Sequence, residues 1–390
     1  MIEFDKAHKI VLDSVNVLGT TQCDINECSG RILAEDIRSD MPMPPFDKSA
    51  VDGYACRSED LGRNLEVIEV IPAGVEPKNE ITPGKCAKVM TGGVVPEGAD
   101  TVIMVEDTET VSDTSIRFTG AKTSANICYL GEDIRKGQVV LKKGTLIKPQ
   151  EIAVLASVGI ANVPVYKQPL VGIISTGNEL VEPHLKPASS QIRNSNAYQL
   201  SAQVSGAGAV PEYFGIALDT EDSTRALITK AVEKCDVVLL TGGVSMGDFD
   251  YVPKVLDELG IAIRFKSIAV QPGRPTVFAT KDGQYLFGLP GNPVSSFVQF
   301  ELLVKPLLYG LMGHDFKPPV LRIPMGETFE RRKARRKSFI PVTIRSGKVY
   351  PVEYHGSAHI HSYIFADGMV AVEIGKSKLA EGEMVDVRQI

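Results

Sequence analysis

The residues best suited to chemistry stand in one stretch, Asp236 to Tyr251, DVVLLTGGVSMGDFDY. Gly242 and Gly243 let a backbone pass close to a phosphate or a heterocycle, Ser245 adds a hydroxyl, and Asp248 and Asp250 are hard oxygen donors of the kind that hold magnesium beside phosphate. Such a set suits a phosphorylated small molecule. Asp250 has a second reading as the cap of a helix starting near Pro253, and both roles can coexist. Other polar turns carry further candidates. Ser175 to Leu180, STGNEL, holds Glu179, and Gly288 to Ser296, GLPGNPVSS, holds Gly291 and Asn292. Pro293 near the first position of a helix makes Asn292 a candidate cap, and a helix N-terminus there would favour an anion. Gln271 to Pro275, QPGRP, is a glycine-proline turn, and Thr91 to Asp100, TGGVVPEGAD, reads by itself as a connecting loop with a carboxylate.

These loops need a scaffold that brings strand ends together. Val237 to Leu240 is a short, wholly apolar run, as expected of a strand buried on both faces of a parallel sheet. Apolar strands at 171–174 and 210–216 alternate with helical patterns at 196–204, 223–234 and 252–259, which predicts a doubly wound α/β domain with its ligand at the carboxyl edge of the sheet. Upstream, residues 3–18 show helical spacing of Phe4, Ala7, Ile10, Val11 and Val15, and MPMPPF at 41–46 predicts an extended linker because its prolines remove donors. Short β-type runs between residues 65 and 118, separated by Pro-Gly and similar turns, predict a small β-rich domain. A helix is expected over 149–159. After Pro318 and Pro319 the runs LRIPM, FIPVTI, VYPVEY, MVAVEI and MVDVRQ predict a C-terminal β-barrel domain. The segmentation is therefore a split helical and extended N-terminal segment (1–45 and 125–166), a β-rich insertion (46–124), the α/β domain (167–314) and the β-barrel domain (318–390).

With 390 residues and 43% apolar content, several domains can each fill a core. The formal net charge of -6 disfavours nucleic acid as a partner, so an anionic ligand has to be met by a local basic patch. Arg331 to Lys337 is such a patch, read either as a solvated hairpin or as an oxyanion clamp. The six cysteines show no C-x-x-C pair, which points to reduced thiols and a cytoplasmic protein. No export segment and no membrane span is expected. His355, His359 and His361 fit no common zinc spacing and are read as loop or strand histidines.

PPFDKSAVDGYA, TGGVVPEGAD, GEDI, STGNEL, IRNSN, TGGVSMGDFDYV, QPGRPTVFAT and GLPGNPVSS follow one another across most of the chain. In this order and spacing they resemble the molybdopterin molybdenumtransferases, the family that includes the gephyrin E domain. The resemblance implies a transferase that inserts molybdate into adenylylated molybdopterin, releases AMP and yields molybdenum cofactor, with Mg2+ as the cation. It implies a four-domain protomer, the α/β domain shared with molybdopterin adenylyltransferases, and a homodimer with an active site shared between subunits. A molybdopterin adenylyltransferase is a candidate partner. Carried onto this chain, the resemblance marks Glu179, Ser245, Asp250, Arg274 with Pro275, Arg336 and Ser357 as site positions. Asp52, Thr91 and Asp133 are the positions contributed by the β-rich insertion. Metal ligation falls to Asp250, Asp248 and Glu179. The alternatives are an adenylyltransferase-like or tungstate-specific enzyme and a non-catalytic, gephyrin-like scaffold. The first would need neither the insertion nor the last domain, and the second would normally carry a further fused domain.

The chain departs from the family pattern at two places. Gln271 stands where many members have lysine, and Pro341 stands where many have the second arginine of a G-R-x-E-F-x-R run whose first arginine is Arg336. Both changes remove positive charge from the expected oxyanion pocket, so anion affinity, or the choice between molybdate and tungstate, is where this chain is expected to differ, and not the reaction class.

Overall fold

The structure is a computed structural model that describes residues 1–243, 251–354 and 356–390. Ser245, Asp248, Asp250 and His355 lie outside the described residues. The chain forms two compact units, one of Met1–Ala34, Gly144–Lys148 and Pro164–Ile390, the other of Glu35–Lys143 and Pro149–Val163.

The larger unit is built on a six-stranded sheet in the order Val210–Ala217, Leu170–Thr176, Val237–Thr241, Gln284–Leu289, Val277–Lys281, Ala262–Phe265. The first four strands run parallel, and the last two are joined antiparallel at one edge, so the sheet is mixed. The apolar run at its centre is buried on both faces, as its composition requires. Val237 and Leu239 pack in one core cluster with Ala197, Leu200 and Val204 of the helix Asn196–Gly206. Val238 and Leu240 pack in another with Ile228 and Ala231 of Glu221–Val232 and with Val255 and Leu256 of Val252–Glu258. Burying each such side chain contributes roughly 1.5–3 kcal/mol, and the sheet's centre is thereby the stiffest place on which to mount a site.

The N-terminal helix Phe4–Asp13 buries Ala7 and Val11 in the first of these clusters, beside Leu303 and Leu307. Phe4 meets Phe339 edge-on at 5.4 Å. Its apolar stripe is thus covered by the α/β core and by Phe339 of the C-terminal domain.

A second sheet in this unit orders Val270–Gln271, Lys337–Arg345, Gly368–Val372, Met384–Gln389 and Val320–Pro324, with Lys348–Pro351 paired to Lys337–Arg345. The short strand Val270–Gln271 leaves the α/β domain to pair in parallel with the start of Lys337–Arg345, Gln271 opposite Ser338. That pairing ties the QPGRP turn to the C-terminal domain. His361 lies in a 3-10 helix, Ile360–Phe365, which corrects its reading as a loop or strand histidine; the Ser362 N–H and hydroxyl both donate to the His359 carbonyl three residues back and close the turn.

The smaller unit holds a six-stranded sheet ordered Thr101–Met104, Gly53–Cys56, Lys85–Val89, Asn64–Ile71, Ser115–Phe118, Thr108–Ser112. Its strands are antiparallel except Asn64–Ile71 with Lys85–Val89. Gly53 is required in the middle strand, since a Cβ there would lie 2.1 Å from the Ile103 carbonyl. Cys56 and Cys86 face each other across the strands yet stay free thiols, and burial pushes both up to about 12. The helix expected over 149–159 spans Pro149–Ser157. Among the described residues no helix is long and apolar enough to cross a membrane.

Candidate active site

Three neighbouring parallel strands end together at the carboxyl edge of the central sheet. Ser175 is opposite Thr241, and Thr241 is opposite Leu289. Their loops enclose a cleft of about 810 Å³ whose lining includes Glu179, Gly242, Gly243, Pro275, Gly291 and Asn292. That volume suits a mononucleotide or a pterin.

Gly242 has φ +93, and a Cβ there would meet the carbonyl oxygen and the hydroxyl of Thr176, each at 2.6 Å. Backbone conformation and close approach both demand glycine at this position. On the neighbouring loop the Glu179 carboxylate folds back over Gly177, where a Cβ would lie 2.4 Å from Oε2. The glycine leaves room for the carboxylate at the cleft.

Asn292 corrects an expectation. It precedes the helix Pro293–Gln299, but its side chain makes no capping bond. Instead Nδ2 donates to Ser357 Oγ at 2.9 Å, and the Val294 N–H donates to the Ser357 carbonyl at 3.1 Å. With Pro293 lacking an N–H and Ser296 N donating to the Asn292 carbonyl, most donors of this helix start are already satisfied. The C-terminal domain takes up the Val294 N–H and the Asn292 amide. Ser357 is thereby brought to the rim of the cleft from 65 positions away.

Arg336 is not brought to the same place. It lines a separate cavity of about 540 Å³ together with Gln271, Arg332, Lys333, Pro341 and Tyr354. Both departures from the family pattern, Gln271 and Pro341, therefore face one cavity. Arg331, also in its lining, has its guanidinium bound to the carbonyls of Lys376, Arg336 and Glu373 and to the Ser338 hydroxyl, so it braces the wall. Arg274 sits exposed on the turn between Gln271, in that cavity, and Pro275, in the main cleft. Buried Gln299 holds the turn by donating Nε2 to the Pro272 carbonyl at 2.9 Å.

In the smaller unit Asp52 and Thr91 are joined. The Thr91 N–H and hydroxyl donate to Asp52 Oδ1 at 2.6 and 2.8 Å. The backbone bond first, then the hydroxyl, holds the Asp52 carboxyl below its ordinary value. Asp133 lines a different depression, with Met43, Cys128 and Glu132.

Several polar residues of the cleft escaped the sequence reading. Thr176, Asn194, Asn196, Asp219 and Thr241 all line it. Fully buried Asn194 accepts from Ser175 Oγ at 3.0 Å and donates to Tyr213 Oη at 2.8 Å, and Tyr213 donates to Glu182. Burial, then the bond to Glu182, pushes the Tyr213 phenol up, so it stays a donor at neutral pH. The signal available for these residues was polarity at the last positions of apolar strands and in IRNSN.

Magnesium usually takes one or two protein carboxylates and completes its shell with water and substrate phosphate. Glu179 and Asp219 supply carboxylates in the cleft lining, so its donor chemistry fits the ion, although no group of three or more His, Cys, Asp or Glu is assembled for a metal among the described residues.

Known proteins resemble this chain. A molybdopterin molybdenumtransferase of Staphylococcus aureus (strain Mu50 / ATCC 700699) is 37% identical over 370 residues, covering 91% of this chain and 88% of the relative. This chain belongs to the molybdopterin molybdenumtransferase (MoeA) family. Family models match in succession: the MoeA N-terminal region (domain I and II) over residues 2–159, a probable molybdopterin binding domain over 172–310, and the MoeA C-terminal region (domain IV) over 325–390. The molybdopterin molybdenumtransferase of Bacillus subtilis (strain 168) is 42% identical over 289 residues, 71% of this chain and 67% of that protein. Among solved structures, a molybdopterin biosynthesis MoeA protein from Pyrococcus horikoshii OT3 superposes with a TM-score of 0.87 at 32% identity, each chain covered in full at 100%. The MoeA fold therefore spans the whole chain, and the cleft lies in its probable molybdopterin binding domain.

Proposed function

We propose that this protein is a molybdopterin molybdenumtransferase, which inserts molybdate into adenylylated molybdopterin and releases AMP to give molybdenum cofactor. The observation that carries the reading is the cleft at three adjoining strand ends, in a chain related over nearly its whole length to enzymes of that name. Glycines at Gly242 and Gly291 admit the flat and phosphorylated parts of the substrate, and Glu179 with Asp248 and Asp250 supplies carboxylates for magnesium. Bound magnesium supplies positive charge to the phosphate that departs as AMP. Ser357 and Asn292 hold the rim, where their paired hydroxyl and amide can turn to an incoming oxyanion. Arg274, between the two cavities, is the cation assigned to molybdate, with Arg336 and Gln271 beyond it.

The proposal extends to a cytoplasmic homodimer with the four domains outlined above, its last domain a β-barrel. Asp52, Thr91 and Asp133 would serve the cleft of the other subunit. Support for a joint role of the first two is that the Thr91 N–H and hydroxyl both donate to Asp52 Oδ1 and fix the carboxylate's position.

Molybdate titrated against AMP release tests the pocket, with tungstate in parallel. Arg274→Ala should raise the half-saturating molybdate concentration, and Gln271→Lys, which restores a charge, should lower it. A charged hydrogen bond contributes about 1.5–3 kcal/mol, so a shift on the order of tenfold or more is expected for Arg274→Ala. Unchanged half-saturation in both variants would remove the turn from the oxyanion pocket.

A further inference from the structure

Two polar atoms on the floor of the cleft, Thr176 Oγ1 and Asn196 Oδ1, are buried without a partner among the described residues. Thr176 is 6% exposed and Asn196 8%, and both residues line the cleft. The surroundings set which way the Asn196 carboxamide points. Its nitrogen donates to Thr241 Oγ1 and to the Gly291 carbonyl, each at 2.7 Å. A carbonyl only accepts, so the nitrogen must face Gly291, and the carboxamide oxygen is left over. The Thr176 hydroxyl lies against the glycine turn, where a Cβ on Gly242 or Gly243 would meet it at 2.6 or 2.9 Å. Buried polar groups in folded proteins nearly always have partners. A ligand reaching the floor of the cleft could supply the partners that the described residues do not.

The chemistry of the pair narrows what that ligand presents. A carboxamide oxygen only accepts, and the oxygens of molybdate and of an ionised phosphate also only accept at neutral pH. Neither oxyanion would be held by the Asn196 oxygen, whereas the Thr176 hydroxyl beside it can donate as well as accept. We propose that Thr176 and Asn196 form a specificity subsite that binds an N–H or O–H edge of the organic part of the substrate, leaving its phosphates and the oxyanion to the rim. The inference rests on the function proposed above and goes deeper into the same cleft. Adenylylated molybdopterin offers such edges at both ends, on its pterin ring and on its adenosine. A site that hydrogen-bonds its ligand in this way discriminates strongly against analogues lacking the donor.

Calorimetric binding of AMP, and separately of a pterin without a nucleotide, to the full chain tests this. Wild type is compared with Thr176→Val, Thr176→Ser and Asn196→Leu, and molybdate binding is measured alongside. Thr176→Val should weaken one of the two organic ligands about five- to tenfold. Thr176→Ser, which keeps the hydroxyl, should restore it, and Asn196→Leu should weaken the same ligand. Binding of the other organic ligand and of molybdate should stay within about twofold of wild type, well below the loss of one such bond. A response to AMP assigns the subsite to the nucleoside, and a response to the pterin assigns it to the ring. Unaltered binding of both in Thr176→Val would overturn the proposal, as would equal weakening of both or a loss confined to molybdate. Should Asn196→Leu not fold, the threonine pair decides alone. Wild type that binds neither AMP nor pterin would overturn the functional reading itself, a different result from wild-type binding that the variants leave unchanged.

Discussion

Glu179→Ala is expected to reduce AMP release on the order of 10²-fold or more, the scale on which single electrostatic contacts act in active sites, while leaving the unfolding midpoint nearly in place. The two readouts separate because of where the residue sits. Glu179 is exposed on a loop past a strand end, and its carboxylate lies over Gly177 at the cleft rather than in any core. Removing such a side chain typically changes stability by no more than about 0.5 kcal/mol. Asp250→Ala should behave alike if the two carboxylates share a cation. Glu179→Gln adds a control, since it keeps the shape and the oxygen but removes the charge, and it should be nearly as damaged as alanine. Steady-state AMP release and chemical denaturation on the same preparations check both halves. Near-normal turnover in either alanine variant would take that residue out of the site.

Gly242→Ala should be among the most destabilising single methyls in the α/β domain. A left-handed backbone costs a residue with a side chain about 1–3 kcal/mol, and forcing a methyl group into packed surroundings costs a similar amount. Here both apply, because φ is +93 and the new Cβ would sit 2.6 Å from two oxygen atoms of Thr176. A loss on the order of 3 kcal/mol or more is expected, together with loss of activity as the strand end moves out of the cleft. Gly283→Ala provides the comparison. Its φ is +85, but nothing lies within 4 Å of the added methyl, so it should show the backbone cost alone. Equal destabilisation of the two variants would mean that the floor yields, and the close approach would then carry no weight in the cleft's shape.

The α/β scaffold was legible because its central strand is a wholly apolar run that ends in a glycine turn. Val237–Thr241 is buried on both faces, as a run of that kind must be, and Gly242 after it meets Thr176 at the end of Leu170–Thr176, where two parallel strand ends predict. The contacts that close the site were not legible, because each depends on packing between distant segments. Asn292 has the position and chemistry of a helix cap, yet Ser357 takes its amide. That choice joins segments 65 positions apart, which local residue types do not reveal. Arg336 and Ser357 carry the same chemical promise for an oxyanion, but the strand pairing of Gln271 with Ser338 carries Arg336 to a different cavity. Helical spacing in Phe4–Asp13 shows that one face is apolar without showing what covers it. Thr176 and Asn196 were missed because each is an ordinary polar residue until burial leaves one of its oxygens without a partner.

The central claim is that AMP release is coupled to oxyanion insertion, and one assay addresses it directly. Purified protein loaded with adenylylated molybdopterin is given molybdate and magnesium together, each alone, and neither, and AMP is quantified with time. The account predicts AMP release with formation of molybdenum cofactor only when both are present. Release at the same rate without any oxyanion would contradict it.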